Sequence, residues 1–197
     1  MPPNEPLQLT AAGLVQLAPL PPSRFVVVCP ARPQVSGHPL GSQESRLASV
    51  LAYLATAALG LLAGAMLLIA LAIVPFWVTL EPIEFARWFR TYSPLLGRVM
   101  LPLGASATLL AVIAASFVRP VFSAASCWLV SAAALAVAAV GTYPLYFSSS
   151  NAALAGGRLE EGQVSAELLR WRTWHWVRTV AGLLAFLAAL CGVSRLS

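Results

Sequence analysis

Residues 47–80 read LASVLAYLATAALGLLAGAMLLIALAIVPFWVTL, with Arg46 before them, Glu81 after them and no charge between. A helix needs about 20 apolar residues to cross the hydrocarbon core of a bilayer. In lipid every backbone polar group must be satisfied within the segment, so a run of this kind reads as a spanning helix. Three further intervals lack charge: residues 99–118, 120–157 and 179–194. The last reaches span length by taking in Trp174-His175-Trp176-Val177. The sequence thus predicts an all-α fold, an integral membrane four-helix bundle with spans at about 48–76, 96–118, 121–143 and 174–194.

Composition agrees. The chain has 197 residues, 59% hydrophobic and 10% charged, where a globular average carries about 25% charged. Its mean hydropathy is +0.80. All 12 basic residues are Arg and all seven acids are Glu. The net charge of +5 comes from scattered Arg and forms no basic stripe, which argues against a nucleic-acid partner. The lipid bilayer is the expected partner.

Nine of the 15 prolines fall within the first 39 residues. Residues 1–45 are expected to be a flexible Pro-rich tail, or to precede a later natural start, and residues 46–197 to form the four-span domain. Pro75, Pro82, Pro94, Pro102, Pro120 and Pro144 are expected at or near helix ends, where a missing N–H costs least. The very short link around Arg119-Pro120 makes its flanking spans antiparallel neighbours. Four spans put both termini on the same side of the membrane. The third span is rich in small residues, among them Ala125, Ser126, Ala132, Ala133 and Ala139, which let helices approach closely. Gly60 and Gly64 make a GxxxG, read as internal packing with a homo-oligomer face as the alternative. Cys127 and Cys191 should lie at similar depth; both are read as packing residues, with a disulfide as the alternative.

The remaining polar groups gather on one side. After the first span comes Glu81-Pro82-Ile83-Glu84-Phe85-Ala86-Arg87-Trp88-Phe89-Arg90, expected as a short interfacial helix on which Glu84 and Arg87 can pair. After the third span come Tyr143, Tyr146, three serines and Asn151, expected as a loop. On the helix that follows, Glu167, Trp171, Trp174, His175 and Arg178 fall on one stripe. His175 is the only His outside the tail. An ionisable residue at a membrane span is a candidate functional site, against the plainer reading of a Trp/Arg anchoring girdle. No metal is expected, because one His and scattered Cys give too few ligands, and no paired His suits a haem. Phosphate-binding glycine loops and a CxxC are absent.

Three of these runs carry a resemblance: Glu84 to Phe89, Tyr143 to Tyr146 with Asn151, and Trp171-x-x-Trp174-His175-x-x-Arg178-Thr179. Over about residues 50–194 the chain resembles the anthrone-oxygenase-like family of small four-span membrane proteins, much of it a domain of unknown function. The resemblance implies an enzyme of monooxygenase type that oxidises a polyketide anthrone to an anthraquinone with molecular oxygen and no cofactor. Removing a proton from an electron-rich phenolic ring leaves an anion that itself reacts with oxygen, so the protein supplies a base, an oxyanion partner and a dry pocket. By that resemblance His175 is the general base, Arg178 stabilises the enolate and Asn151 orients a substrate oxygen. Trp171 and Trp174 wall the ring, and Tyr143, Tyr146, Glu84 and Arg87 complete the expected binding set for a hydrophobic aromatic molecule. The alternative is a non-enzymatic four-helix scaffold or a subunit of a membrane complex. A transporter fits less well, because no charge falls at mid-span.

Overall fold

A computed structural model describes residues 39–157 and 159–196, so most of the expected tail lies outside the described residues. All regular structure among the described residues is helical. The first rod is α1 (Pro39–Leu68), a wider π-helical stretch (Ile69–Ile73) and α2 (Val74–Thr79). The second is α3 (Pro82–Phe117). The third comprises α4 (Ala124–Thr142), a π stretch (Tyr143–Phe147) and α5 (Ser148–Gly156), and the fourth is α6 (Glu161–Val193). Four stretches are long and apolar enough to cross a membrane: Gln43–Thr79, Pro82–Phe117, Ala124–Gly156 and Glu161–Val193. At 1.5 Å per residue the rods are about 50–60 Å long, against about 30 Å of hydrocarbon. The protein is a multi-pass membrane protein whose helices outrun the lipid core.

Local chemistry sets the ends of these rods. Ser123 caps α4, its hydroxyl accepting the Ser126 N–H at 3.1 Å. Glu160 and Gln163 form a reciprocal capping box at the start of α6. Gly157 closes α5 in the left-handed region at φ +63°, where a side chain is strained. Arg90 reaches across from α3 and donates from Nε to the Ala155 carbonyl at 2.8 Å, a cation at a helix C-terminus.

Two expectations need correction. The segment after the first span is no separate short helix, because Pro82 opens α3 and the helix then runs unbroken to Phe117. The polar run after the third span is no loop, because the helix continues through Tyr143 and Asn151 to Gly156. Both differences come from proline. Pro94 and Pro102 lie inside α3, and Pro75 and Pro144 lie beside or within the two π stretches. A proline ring crowds the carbonyl one turn back and removes an N–H, and widening the turn by a residue relieves that crowding. The widened turns are closed by i+5 bonds, from the Val74 N–H to the Ile69 carbonyl and from the Ser148 N–H to the Tyr143 carbonyl. A membrane bundle tolerates such sites better than water does.

The rods pack as a ring: α1 lies against α3 and α6, and α4 lies against the same two. Lengthwise the bundle has two cores. One is made of small residues, with Ala125, Ala132, Ala136, Ala185 and Ala189 meeting Leu59, Leu62 and Leu129. The other is aromatic, built from Trp77, Phe85, Phe89, Phe147 and Trp171. Gly60 serves the interior, since a Cβ there would meet Phe186 at 2.9 Å, while Gly64 faces open space. Cys127 and Cys191 are both free.

Helices α4 and α6 come close at Gly192, where an added Cβ would lie 2.7 Å from Leu129 Cγ. Gly192→Val is expected to destabilise the bundle by about 1–3 kcal/mol. Gly64→Ala should be neutral or mildly stabilising, as helix propensity favours Ala by up to about 1 kcal/mol. Thermal unfolding of both variants in detergent checks the pair.

Candidate functional site

Spacing along α6 carries Trp171, His175 and Thr179 onto the buried face, with Arg178 beside them. His175 has no exposed surface. Its Nδ1 accepts a hydrogen bond from Arg178 Nε at 2.9 Å, and its Nε2 lies 3.0 Å from the Met66 carbonyl of α1. The guanidinium Nε–H is a donor only and a carbonyl is an acceptor only. Nδ1 therefore presents its lone pair to Arg178 and Nε2 carries the hydrogen, donating it to Met66. The tautomer is fixed from both sides, and the imidazole couples the first rod to the fourth.

Arg178 is held by aromatic faces as well. Its guanidinium carbon sits 3.8 Å from the Phe147 ring centroid and 5.4 Å from that of Trp171. Trp171 in turn stacks on His175, centroids 4.9 Å apart and planes 13° from parallel. Among the described residues no carboxylate pairs with Arg178 and no acceptor reaches its terminal nitrogens; the ion pair found there is Arg170 with Glu167. The guanidinium is thus oriented through Nε while its two amino groups stay available.

Arg178 lines a cavity of about 710 Å³ walled by all four rods. Asn151, in the first turn of α5, lines it too, and its Oδ1 accepts the Trp171 indole N–H at 2.9 Å. An indole N–H only donates, so the carboxamide orientation is determined and its NH₂ is left without a partner among the described residues. Arg98, Ser93, Tyr143, Ser148 and the Trp77 indole N–H are the other polar or charged groups with hydrogen-bonding capacity to spare, and no Glu lines the space. The remainder is mostly apolar or aromatic, including Met66, Leu96 and Phe89. Such a cavity suits a flat apolar molecule with acceptor oxygens.

The residues expected from sequence divide into three groups. Arg178, Asn151, Trp171 and Tyr143 line the cavity, and His175 stands behind Arg178. Tyr146 and Trp174 lie outside it and stack on each other at 5.3 Å, with the Tyr146 hydroxyl donating to Glu167 Oε1 at 2.7 Å. Glu84 and Arg87 are exposed, line no part of the cavity and form no ion pair with each other. They sit on the outer face of α3, whose inner face carries Phe85 and Phe89. Sequence reading missed Trp77, Ser93 and Arg98. Trp77 is 1% exposed, packs against Phe85, Trp88, Phe89 and Trp171 at 5.2–5.6 Å, and has an indole N–H with no partner among the described residues. A Trp near the end of an apolar run looks like a membrane-belt anchor, and nothing in the sequence marks it as interior. Among the described residues no three His, Cys or Glu side chains converge as metal ligands.

A family model described as anthrone oxygenase matches residues 88–188, half of the chain. The match takes in Arg98, Tyr143, Asn151, Trp171, His175 and Arg178 and leaves out Trp77, Glu84 and Arg87. No curated protein and no solved structure matches the chain.

The bonding pattern fixes which imidazole nitrogen carries the hydrogen. ¹⁵N spectra of His-labelled protein at neutral pH should show His175 with a protonated Nε2 and an unprotonated Nδ1. Arg178→Met removes the donor that holds Nδ1 and should let the other tautomer appear.

Proposed function

The chain belongs to the anthrone oxygenase family, and we propose that its cavity binds a phenolic polycyclic molecule as an anion and lets oxygen attack it there. The observation that carries this reading is Arg178, a guanidinium oriented by a neutral imidazole, without a carboxylate partner among the described residues, bordering an apolar cavity.

In the proposed reaction an anthrone binds with its ring against Trp171 and its ketone oxygen at the Arg178 amino groups and the Asn151 NH₂. Loss of a methylene proton to water spreads the negative charge onto that oxygen, where the donors stabilise it. The anion passes one electron to O₂, and the radical and superoxide combine to form a carbon–oxygen bond. The resulting peroxide takes up a proton, loses the remaining C–H proton and expels hydroxide as the O–O bond breaks, which leaves a ketone. In sum the anthrone and O₂ give the quinone and water, with no external reductant. The apolar wall lowers the dielectric around the anion and strengthens each contact to it.

His175 differs here from the base that the family resemblance implies. Its only lone pair is occupied by Arg178 Nε, so it serves as a positioning residue that aims the guanidinium. Holding the oxyanion makes the carbon acid stronger, and water is then a sufficient proton acceptor. We also propose that the rods cross the membrane alternately up and down, which places both termini on one side, and that substrate arrives from the lipid.

Quinone formation from an anthrone under air, followed by absorbance with protein in lipid nanodiscs, tests the proposal. Arg178→Gln should lower kcat/KM by about 10²–10³-fold, the usual cost of removing an oxyanion donor. His175→Ala should act mainly on kcat through the misplaced guanidinium. Glu84→Gln and Arg87→Gln, outside the cavity, should change neither constant. No quinone from the wild-type protein, or full turnover by Arg178→Gln, would overturn the reading.

A further inference from the structure

We propose that Arg98 is a second anion-recognition point in the cavity, and that the ligand is a flat aromatic molecule carrying an acidic substituent, a carboxylate being the simplest. The inference rests on the cavity reading above and adds the class of substituent.

Arg98 and Arg178 both line the cavity, and no Glu does. They belong to α3 and α6, which are diagonal corners of the ring of helices, since α1 and α4 each lie between them. A ligand that touches both therefore reaches across the bundle. Arg98 forms no ion pair and no side-chain hydrogen bond among the described residues, so its fork of donors is uncommitted. The wall beside it is built for close approach. Ser93 and Gly97 are small, and a Cβ added at Gly97 would meet nothing within 4 Å. An aromatic ring can lie along this gap with a substituent at Arg98, while its ketone oxygen turns to Arg178 and Asn151.

The two guanidiniums differ in construction. Arg178 is fixed by His175 and Phe147. Arg98 is exposed and adaptable. A rigid donor suits the oxygen where charge develops, and a flexible one suits a permanent charge whose position varies among ligands. Guanidinium binds carboxylate in a bidentate fork, which makes a carboxylate the best-matched substituent.

Two quinone probes separate the alternatives: anthraquinone-2-carboxylate and neutral 2-methylanthraquinone, bound to the full chain in phosphatidylcholine nanodiscs and followed by quenching of Trp fluorescence. The wild-type protein should bind the carboxylate about fivefold more tightly, a modest factor because Arg98 is partly solvated. Arg98→Gln should remove that preference and leave the neutral probe's affinity unchanged. Arg87→Gln, an exposed charge on the same helix, should keep the preference and so exclude a general surface-charge effect. A preference that survives in Arg98→Gln, or equal binding of both probes by wild type, would overturn the Arg98 site while leaving the oxygenase reading intact. Failure of both probes to bind would overturn the two together.

Discussion

A guanidinium inside an apolar bundle must be oriented without being neutralised, and the arrangement around Arg178 meets that constraint. Taking a charge out of water costs several kcal/mol, and a carboxylate partner is the common remedy. A carboxylate would also cancel the field that an anionic ligand needs. The protein uses a neutral partner instead: the His175 lone pair takes Nε, and the Phe147 face lies 3.8 Å below the guanidinium carbon. Cation–π contact with a desolvated cation is worth up to about 2 kcal/mol, and it leaves the positive charge in place. His175 can play this part because the Met66 carbonyl takes the hydrogen on its other nitrogen. The site is therefore tied to the way α1 and α6 pack.

That packing is tight in one half of the bundle and open in the other. Small residues on α4 and α6 bring the helices together where Ala132, Ala136, Ala185 and Ala189 meet. Dispersion and close fit must hold helices in lipid, where little hydrophobic drive remains. In the other half, large rings keep the rods apart, and prolines and widened turns re-aim the chain on three of the four. The cavity draws its lining from Leu62 and Gly104 at one end to Trp77 and Asn151 at the other. Just past the second π stretch, Asn151 meets Trp171, and Arg90 fastens the far end of α5 to α3.

Four spans were legible because a missing charge is a one-dimensional signal that needs no knowledge of neighbours. The α6 stripe was legible for the same kind of reason, since helical spacing alone puts Trp171, His175 and Arg178 together. Helix ends were misjudged at Pro94, Pro102 and Pro144, where a rule drawn from helices in water met a setting that absorbs prolines. Asn151 was expected in a loop and belongs to a helix, yet it still meets Trp171. Glu84 and Arg87 drew attention by their charge, but the buried face of their helix is its aromatic one. Arg98 and Trp77 went unmarked, since only three-dimensional packing distinguishes a lining side chain from an anchoring one.

A structure of the protein in nanodiscs saturated with a hydroxyanthraquinone decides whether Arg178 holds the ligand oxygen. The ligand is expected in the cavity, with one of its oxygens within hydrogen-bond distance of the Arg178 amino groups and the His175–Arg178 bond intact. Ligand seated elsewhere, such as in the groove between α2 and α6 lined by Val74, Pro75, Trp176 and Val177, would contradict that role for Arg178.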